Sequence, residues 1–89
     1  MARRNDLDIC ADILRVARTG ANKTRIVYQA NLNFKIVEKY LQRLVGNGLL
    51  QPTGDRRFIT TEKGVEFLEQ FEALVAPMME EQPIEAVRP

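Results

Sequence analysis

Residues 23–44 read KTRIVYQANLNFKIVEKYLQRL, two apolar segments separated by the polar run Asn-Leu-Asn at 31–33. The first asparagine of that run can adopt the left-handed conformation that stops a helix, and the second can cap the helix that follows. We therefore expect two short helices, over residues 24–30 and 34–45, joined by a turn of about three residues. This spacing is typical of a helix-turn-helix, in which the first helix braces the second.

The second of these helices has an apolar side and a polar side. Val37, Leu41 and Leu44 fall in a narrow stripe when successive residues are placed about 100° apart. The opposite side carries polar residues at spacings typical of one helix face: Lys35, Lys39, Gln42 and Arg43. Cations that face away from a core favour contact with an anionic partner. A solvated surface is the alternative interpretation, because Glu38 makes this side not purely basic.

Three further elements are predicted before the C-terminal part of the chain. Apolar periodicity predicts a helix over residues 6–18. Two short apolar runs, residues 49–53 and 57–60, are typical of strands, and the Gly-Asp-Arg run at 54–56 predicts a tight hairpin between them. Pro52 suits only an edge strand, which a two-stranded hairpin provides.

A last helix is predicted from Thr61, which can cap it, to Pro77, which should end or kink it. The apolar residues that recur along it at a heptad-like spacing are Phe67, Phe71, Leu74 and Met78. This apolar face is too wide for one small domain to cover, so core packing and pairing with a second copy of the chain both remain open.

The composition argues against catalysis. The chain has 89 residues, one cysteine, and no histidine, serine or tryptophan. Without histidine or serine, a Ser-His-Asp triad, its Cys-His variant and a zinc site of the usual Cys/His kind are excluded. The sequence also lacks a Gly-rich phosphate loop. We therefore expect neither an enzyme nor a bound metal or cofactor, and no small-molecule ligand is indicated.

The net charge of +1 conceals a division along the chain. Residues 1–60 contain eleven Lys/Arg and five Asp/Glu, a net charge of +6, whereas residues 61–89 contain two Lys/Arg and seven Asp/Glu, a net charge of −5. The basic part suits an anionic partner, and the acidic part suits self-association or solubility. No apolar run is long enough to cross a membrane and no secretory signal is present, so we expect a cytoplasmic protein.

The predicted order of elements is α-α-α-β-β-α, a mainly α (α+β) fold in which a hairpin wing follows a helix-turn-helix. We expect residues 1–76 to form a winged helix-turn-helix domain that includes a C-terminal helix over 61–76. Residues 77–89 are expected to form a flexible acidic tail.

Three runs, KTRIVYQANLNF, GNGLL and ITTEKGVEFLE, resemble the archaeal ten-kilodalton winged-helix DNA-binding family, whose founding member is an abundant chromatin-associated protein. The resemblance covers roughly residues 5–75, and the Thr-Arg-Ile-x-Tyr-x-Ala-Asn-Leu pattern is its most specific part. It implies a winged helix, binding to double-stranded DNA, and a homodimer in which the C-terminal helices pair as an antiparallel coiled coil. It also implies association with the nucleoid.

The residues expected to contact DNA lie on the helix over 34–45, at the start of the helix before it, and on the wing. They are Lys23, Thr24, Arg25, Asn33, Lys35, Lys39, Gln42, Arg43, Arg56 and Arg57. For the run at 23–25, an ordinary helix start with surface charge competes with phosphate binding by the free amides of that helix end. On the wing we favour Arg56 for the phosphate or minor-groove contact, because Arg57 belongs to the alternating strand.

Two functions remain open at this point. One is DNA binding, by a transcriptional regulator or an architectural chromatin protein, with the helix over 34–45 in the major groove and the wing over 54–57 on the backbone or in the minor groove. The other is a winged helix that binds only other proteins, since a fold does not by itself choose a partner. The positions of the cations favour DNA.

Overall fold

The computed structural model describes residues 5–79, which form four helices, a single 3-10 turn and a small sheet. The elements in chain order are helix α1 (Asp6–Val16), the 3-10 turn (Ala17–Thr19), strand β1 (Ala21–Asn22), helix α2 (Lys23–Gln29), helix α3 (Phe34–Gly46), strands β2 (Leu50–Pro52) and β3 (Arg57–Thr60), and helix α4 (Glu62–Met79). The predicted winged helix-turn-helix is confirmed, and each predicted helix and strand is present.

The turn between α2 and α3 has the left-handed residue and the helix cap that were predicted from its two asparagines. Asn31 has a φ of 57°, the left-handed conformation, and follows directly after the last turn of α2. The Leu32 N–H donates to the Val27 carbonyl at 3.0 Å and the Asn31 N–H to the Tyr28 carbonyl at 3.3 Å, the two hydrogen bonds of a Schellman motif. The Asn33 side chain then caps α3. These local bonds set the close approach of the two helices.

The sheet has three antiparallel strands in the order β1-β3-β2. The expected two-stranded hairpin is present, and β1 adds a third strand that was not expected. In the additional pairing, Ala21 lies opposite Phe58 and Asn22 opposite Arg57. Two residues are too few to show an alternating pattern, and β1 exists only because β3 supplies a partner for its backbone. Since β2 is an edge strand, Pro52 lies where a missing N–H is tolerated, as predicted.

The core joins all four helices to the sheet. Its largest fully buried side chains are Ile13, Leu14, Ile26, Val37, Leu44, Leu50 and Leu68. The buried Thr60 hydroxyl donates to the Leu14 carbonyl at 2.7 Å, which ties β3 to α1. On the surface, Arg15 Nε lies 2.9 Å from Glu72 Oε2 and links α1 to α4. These two contacts connect α1 to β3 and to α4.

The start of α4 is bonded to the end of α3 by its first residues. The Thr61 hydroxyl donates to the Gly48 carbonyl at 2.6 Å and accepts from the Gly64 N–H at 3.0 Å, so the predicted cap is confirmed. The Lys63 ammonium donates to the Asn47 carbonyl at 3.2 Å. These bonds satisfy carbonyls that follow the last turn of α3. The Thr-x-Lys-Gly run at residues 61–64 therefore connects the start of α4 to the end of α3.

Helix α4 continues through Pro77 to Met79, so the expectation that it ends at residue 76 is wrong. Pro77 has no N–H to donate to the carbonyl four residues earlier, and the residues on both sides of it nonetheless keep helical geometry. The division into a domain over 1–76 and a tail over 77–89 stays a prediction, since residues 80–89 lie outside the described part of the chain. Within residues 5–79, no helix is long and apolar enough to cross a bilayer.

Candidate nucleic-acid interface

The outward side of α3 has a central stripe of exposed lysines. Lys35 and Lys39 are exposed on the side opposite the buried Val37 and Leu41, as predicted from the helical period. Within residues 5–79, neither ammonium group forms an ion pair. Gln42 is also exposed, one turn further along. Both charges and the Gln42 amide are therefore available to a partner.

Arg43 flanks this stripe on the side of α1 and is already engaged. Its Nη1 lies 3.6 Å from Asp6 Oδ2, and its guanidinium lies over the Tyr40 ring, 5.4 Å from the centroid. The Tyr40 hydroxyl donates to Asp6 Oδ1 at 2.5 Å, and this bond raises the pKa of Tyr40 above its ordinary value. No local signal in the sequence connects Asp6 to Tyr40 and Arg43, which lie more than 30 residues further along the chain.

Lys23 flanks the stripe on the opposite side and is engaged as well. Its Nζ lies 2.7 Å from Glu38 Oε2 and 5.7 Å from the centroid of the Phe34 ring. The hydrogen bond from Lys23 holds the pKa of Glu38 below its ordinary value. The ion pair joins α2 to α3 beside the wing.

The residue that caps α2 is Asn22, which precedes the predicted contact residues at 23–25. The Asn22 side chain accepts from the Arg25 N–H at 2.8 Å, so Asn22 is the cap, and Thr24 and Arg25 are exposed in the first turn. The Asn33 side chain accepts from the Ile36 N–H at 2.8 Å and caps α3. The capping role of Asn33 is thus established, and its contact with DNA stays a prediction.

The wing separates its two arginines. Arg56 is exposed at the tip with a φ of 65°, a conformation that is uncommon for any residue other than glycine. Arg57 lies in β3, and its Nη2 donates to the Gly20 carbonyl at 3.2 Å, which anchors the wing to the body of the protein. Beside the tip, a hydrogen bond from the Thr53 hydroxyl lowers the pKa of Asp55.

Two concave surfaces connect the helices to the wing. A groove of about 460 Å³ between α3 and the wing has apolar walls and includes Glu38 and Gln42 in its lining. A second cleft brings together candidates from the start of α2 and from the wing. Its lining residues are Asn22, Lys23, Thr24, Asp55, Arg56 and Arg57. Candidates that are distant in sequence therefore border one continuous surface.

A helix-turn-helix followed by a hairpin wing, with basic residues on both, defines the type of domain. A sequence profile of the winged helix-turn-helix family matches residues 3–78. The chain belongs to the winged helix-turn-helix family. Two similarities to archaeal proteins confirm the resemblance to archaeal members of this fold.

The first is to MJ0287, an uncharacterized protein of Methanocaldococcus jannaschii, which is 33% identical over 63 residues. The match covers 70% of this chain and 64% of that protein, so the chain spans less than two thirds of the relative's length. The second is to the crystal structure of Sso10a-2, a DNA-binding protein from Sulfolobus solfataricus. That structure has a TM-score of 0.75 and 32% sequence identity, and the match covers 84% of this chain and 82% of the other.

The apolar residues predicted to form the dimer interface of this winged helix-turn-helix lie on α4, and the core covers some of them in part. Phe67 and Phe71 are half-buried against the core, with ring centroids 6.4 Å apart and an angle of 12° between the rings. Leu74, in contrast, is 75% exposed. Met78 belongs to α4, and its side chain lies outside what the structure describes. Of the four predicted interface residues, Leu74 is therefore the one that can be assigned to an uncovered surface.

The described residues include no candidate metal site, and their one cysteine is buried. Over residues 5–79 there is no group of three or more His, Cys, Asp or Glu side chains able to hold a metal ion. Cys10 is buried, and burial raises the pKa of its thiol, which disfavours the reactive thiolate.

Proposed function

We propose that the chain binds double-stranded DNA, with α3 in the major groove and the wing over 54–57 against the backbone or in the minor groove. The observation that carries the proposal is the exposure of Lys35 and Lys39 on the outward side of α3, where neither forms an ion pair within residues 5–79. The description of Sso10a-2 as a DNA-binding protein supports it.

The shape and charge of α3 suit this partner. The major groove of B-DNA admits an α-helix, and its edges carry base-specific donors and acceptors. Lysines that neutralise phosphates release counterions, so affinity falls as salt increases. Gln42, exposed one turn beyond Lys39, has the donor and acceptor pair that suits adenine. The proposal therefore assigns phosphate contacts to the lysines and a base contact to Gln42.

Within DNA binding, the finer role is either that of a transcriptional regulator or that of an architectural chromatin protein. The two roles differ in the ratio of specific to non-specific affinity. A titration against candidate operator duplexes and random duplexes, at two salt concentrations, measures that ratio. Failure to bind any duplex at low salt would reject the proposed function and favour a protein-binding module.

The wing provides a prediction of its own. Arg56→Ala is expected to weaken binding by about 1 kcal/mol for every duplex tested, because contacts to the backbone carry no sequence information. The slope of log affinity against log salt should become shallower by about one. Fluorescence anisotropy over a salt series measures both quantities.

Arg56→Lys is the matched control, since it keeps the charge at the tip of the wing. It should bind nearly as tightly as the wild type if Arg56 acts as a point charge on a phosphate. A changed sequence preference in Arg56→Ala, without loss of overall affinity, would contradict the backbone role.

We also propose that the protein is a homodimer that pairs through α4. Leu74 is 75% exposed, and it continues the apolar row that begins at Phe67 and Phe71. A two-fold pairing lets this row cover itself on a second copy of the chain. The acidic residues of the same segment favour an orientation that points α4 away from phosphates.

Leu74→Glu is expected to convert the dimer to monomers. Each copy loses a leucine whose burial is worth about 1.5–3 kcal/mol, and a two-fold interface contains that residue twice. Sedimentation velocity at micromolar concentration measures the result. Ala73→Glu adds the same charge at an adjacent exposed position and should remain dimeric. A wild-type protein that sediments as a monomer would reject the dimer.

A further inference from the structure

One acidic side chain, Glu38, lies on the outward side of α3. The side chain is 63% exposed, and with Gln42, one turn away, it lines the groove between α3 and the wing. Lys35 and Lys39 lie beside it on the same helix. The charge of a carboxylate in this position repels phosphates, and this repulsion by itself opposes binding to every duplex. A surface that bound DNA only through its charge would bind better without it.

The Glu38 carboxylate is oriented by an ion pair. Oε2 lies 2.7 Å from Lys23 Nζ, and that ammonium also lies 5.7 Å from the centroid of the Phe34 ring. Among residues 5–79, the other carboxylate oxygen accepts no hydrogen bond. The side chain thus has one oxygen bonded to Lys23 and one oxygen open to a partner, and a side chain that is already bonded loses less freedom on binding than an unbonded one.

Stability alone explains this ion pair poorly. Exposed ion pairs stabilise proteins little. The two helices that it joins are already connected by the Schellman bonds of the turn and by the Asn33 cap. A role toward the partner accounts better for an acid that is positioned among cations.

We propose that Glu38 is a specificity-determining residue that accepts a hydrogen bond from an exocyclic amino group in the major groove, with cytosine N4 as its preferred donor. This inference rests on the proposed binding to DNA. A carboxylate only accepts hydrogen bonds, so it is satisfied by cytosine N4 or adenine N6 and is repelled by the oxygen acceptors of guanine and thymine. Lys23 acts as the positioning residue that aims the acceptor.

The test compares wild type with Glu38→Gln, which keeps the size of the side chain and an oxygen for Lys23 but removes the charge. Glu69→Gln is the matched control, because it makes the same change at an exposed position on α4. Each protein selects from a library of duplexes randomised over one helical turn, and the selected sequences are then titrated individually against a random duplex. Thermal unfolding of all three proteins checks that the fold is unchanged.

We expect the wild type and Glu69→Gln to enrich sites with a position restricted to cytosine, or more weakly adenine. In Glu38→Gln that position should relax, with discrimination against guanine or thymine reduced roughly tenfold. Its affinity for random duplex should increase. The inference is overturned if both Glu38 forms enrich the same sites. It is also overturned if the wild type binds all sequences equally, because the carboxylate then only repels. A wild type that binds no duplex rejects the proposed function itself, which is a distinguishable result.

Discussion

Replacement of both Lys35 and Lys39 with glutamate is expected to weaken binding to double-stranded DNA roughly 100-fold, which is about 2.8 kcal/mol. Both ammonium groups are exposed on the outward side of α3 and form no ion pair within residues 5–79. The change therefore removes two available cations without breaking an internal contact. Reversal of their charge adds repulsion from the phosphates to the loss of attraction.

Anisotropy titrations over a range of salt concentrations measure this effect. The slope of log affinity against log salt should become shallower by about two, one for each lost phosphate contact. Arg43 is a poorer target for this purpose, because its guanidinium is bonded to Asp6 and lies over Tyr40. Mutation of Arg43 mixes a loss of internal contacts with a loss of contacts to DNA.

A comparison at equal net charge separates position from total charge. Lys35→Gln with Lys39→Gln lowers the net charge by the same amount as Ala73→Glu with Ala76→Glu, which alters exposed positions on α4. The lysine pair should lose much more affinity than the alanine pair. Equal losses from the two pairs would mean that α3 is not the interface and that only overall charge matters.

The second large effect concerns stability. Gly64→Ala is expected to destabilise the fold by about 3 kcal/mol, at the upper end of the usual cost of overpacking. An added Cβ would lie 2.2 Å from the Leu49 carbonyl oxygen and 2.6 Å from Thr60 Cγ2. The Leu49 carbonyl accepts from the Thr61 N–H at 3.1 Å, so it cannot move away without breaking that bond. Urea unfolding followed by circular dichroism measures the change.

Gly46→Ala is the matched control, because it is also a glycine within a helix. A Cβ at Gly46 would meet nothing within 4 Å. Alanine is preferred to glycine in a helix by about 0.5–1 kcal/mol, so this variant should be slightly more stable than the wild type. If Gly64→Ala unfolds at the same urea concentration as the wild type, Gly64 does not pack as closely on the Leu49 carbonyl as the structure shows.

Local sequence signals predicted most of the fold. Asn31 and Asn33 act within a turn of their own positions, and the structure has the left-handed residue and the cap that their chemistry predicts. The same applies to Thr61, whose hydroxyl caps α4. Strand β1 was missed because two residues carry no periodic signal and their pairing depends on β3. The end of α4 was misplaced at Pro77, since a proline in the last turn does not force a helix to end there.

For the candidate site, the sequence predicted which side chains are exposed, but it did not predict which of them contact another element. The helical period correctly assigned Lys35 and Lys39 to an exposed side, but it could not distinguish them from Arg43, which has a partner on α1. On the wing, the strand alternation separated Arg56 from Arg57, but it did not show that Arg57 donates to the Gly20 carbonyl. Hydrogen bonds and ion pairs between elements depend on how those elements cross, and no short window of sequence contains that information.

The sequence by itself therefore determined where the helices of the helix-turn-helix begin and end, and which of their sides are polar. These features depend on caps, left-handed residues and a helical period, all of which act between neighbours along the chain. Only the tertiary structure decided which polar groups are free. It brings Lys23 within 2.7 Å of Glu38 and Asp6 within 3.6 Å of Arg43, and it leaves Lys35 and Lys39 without an ion pair in the described residues. The reason is that a charge is neutralised by whatever lies nearest in space, and folding brings together residues that are far apart in sequence.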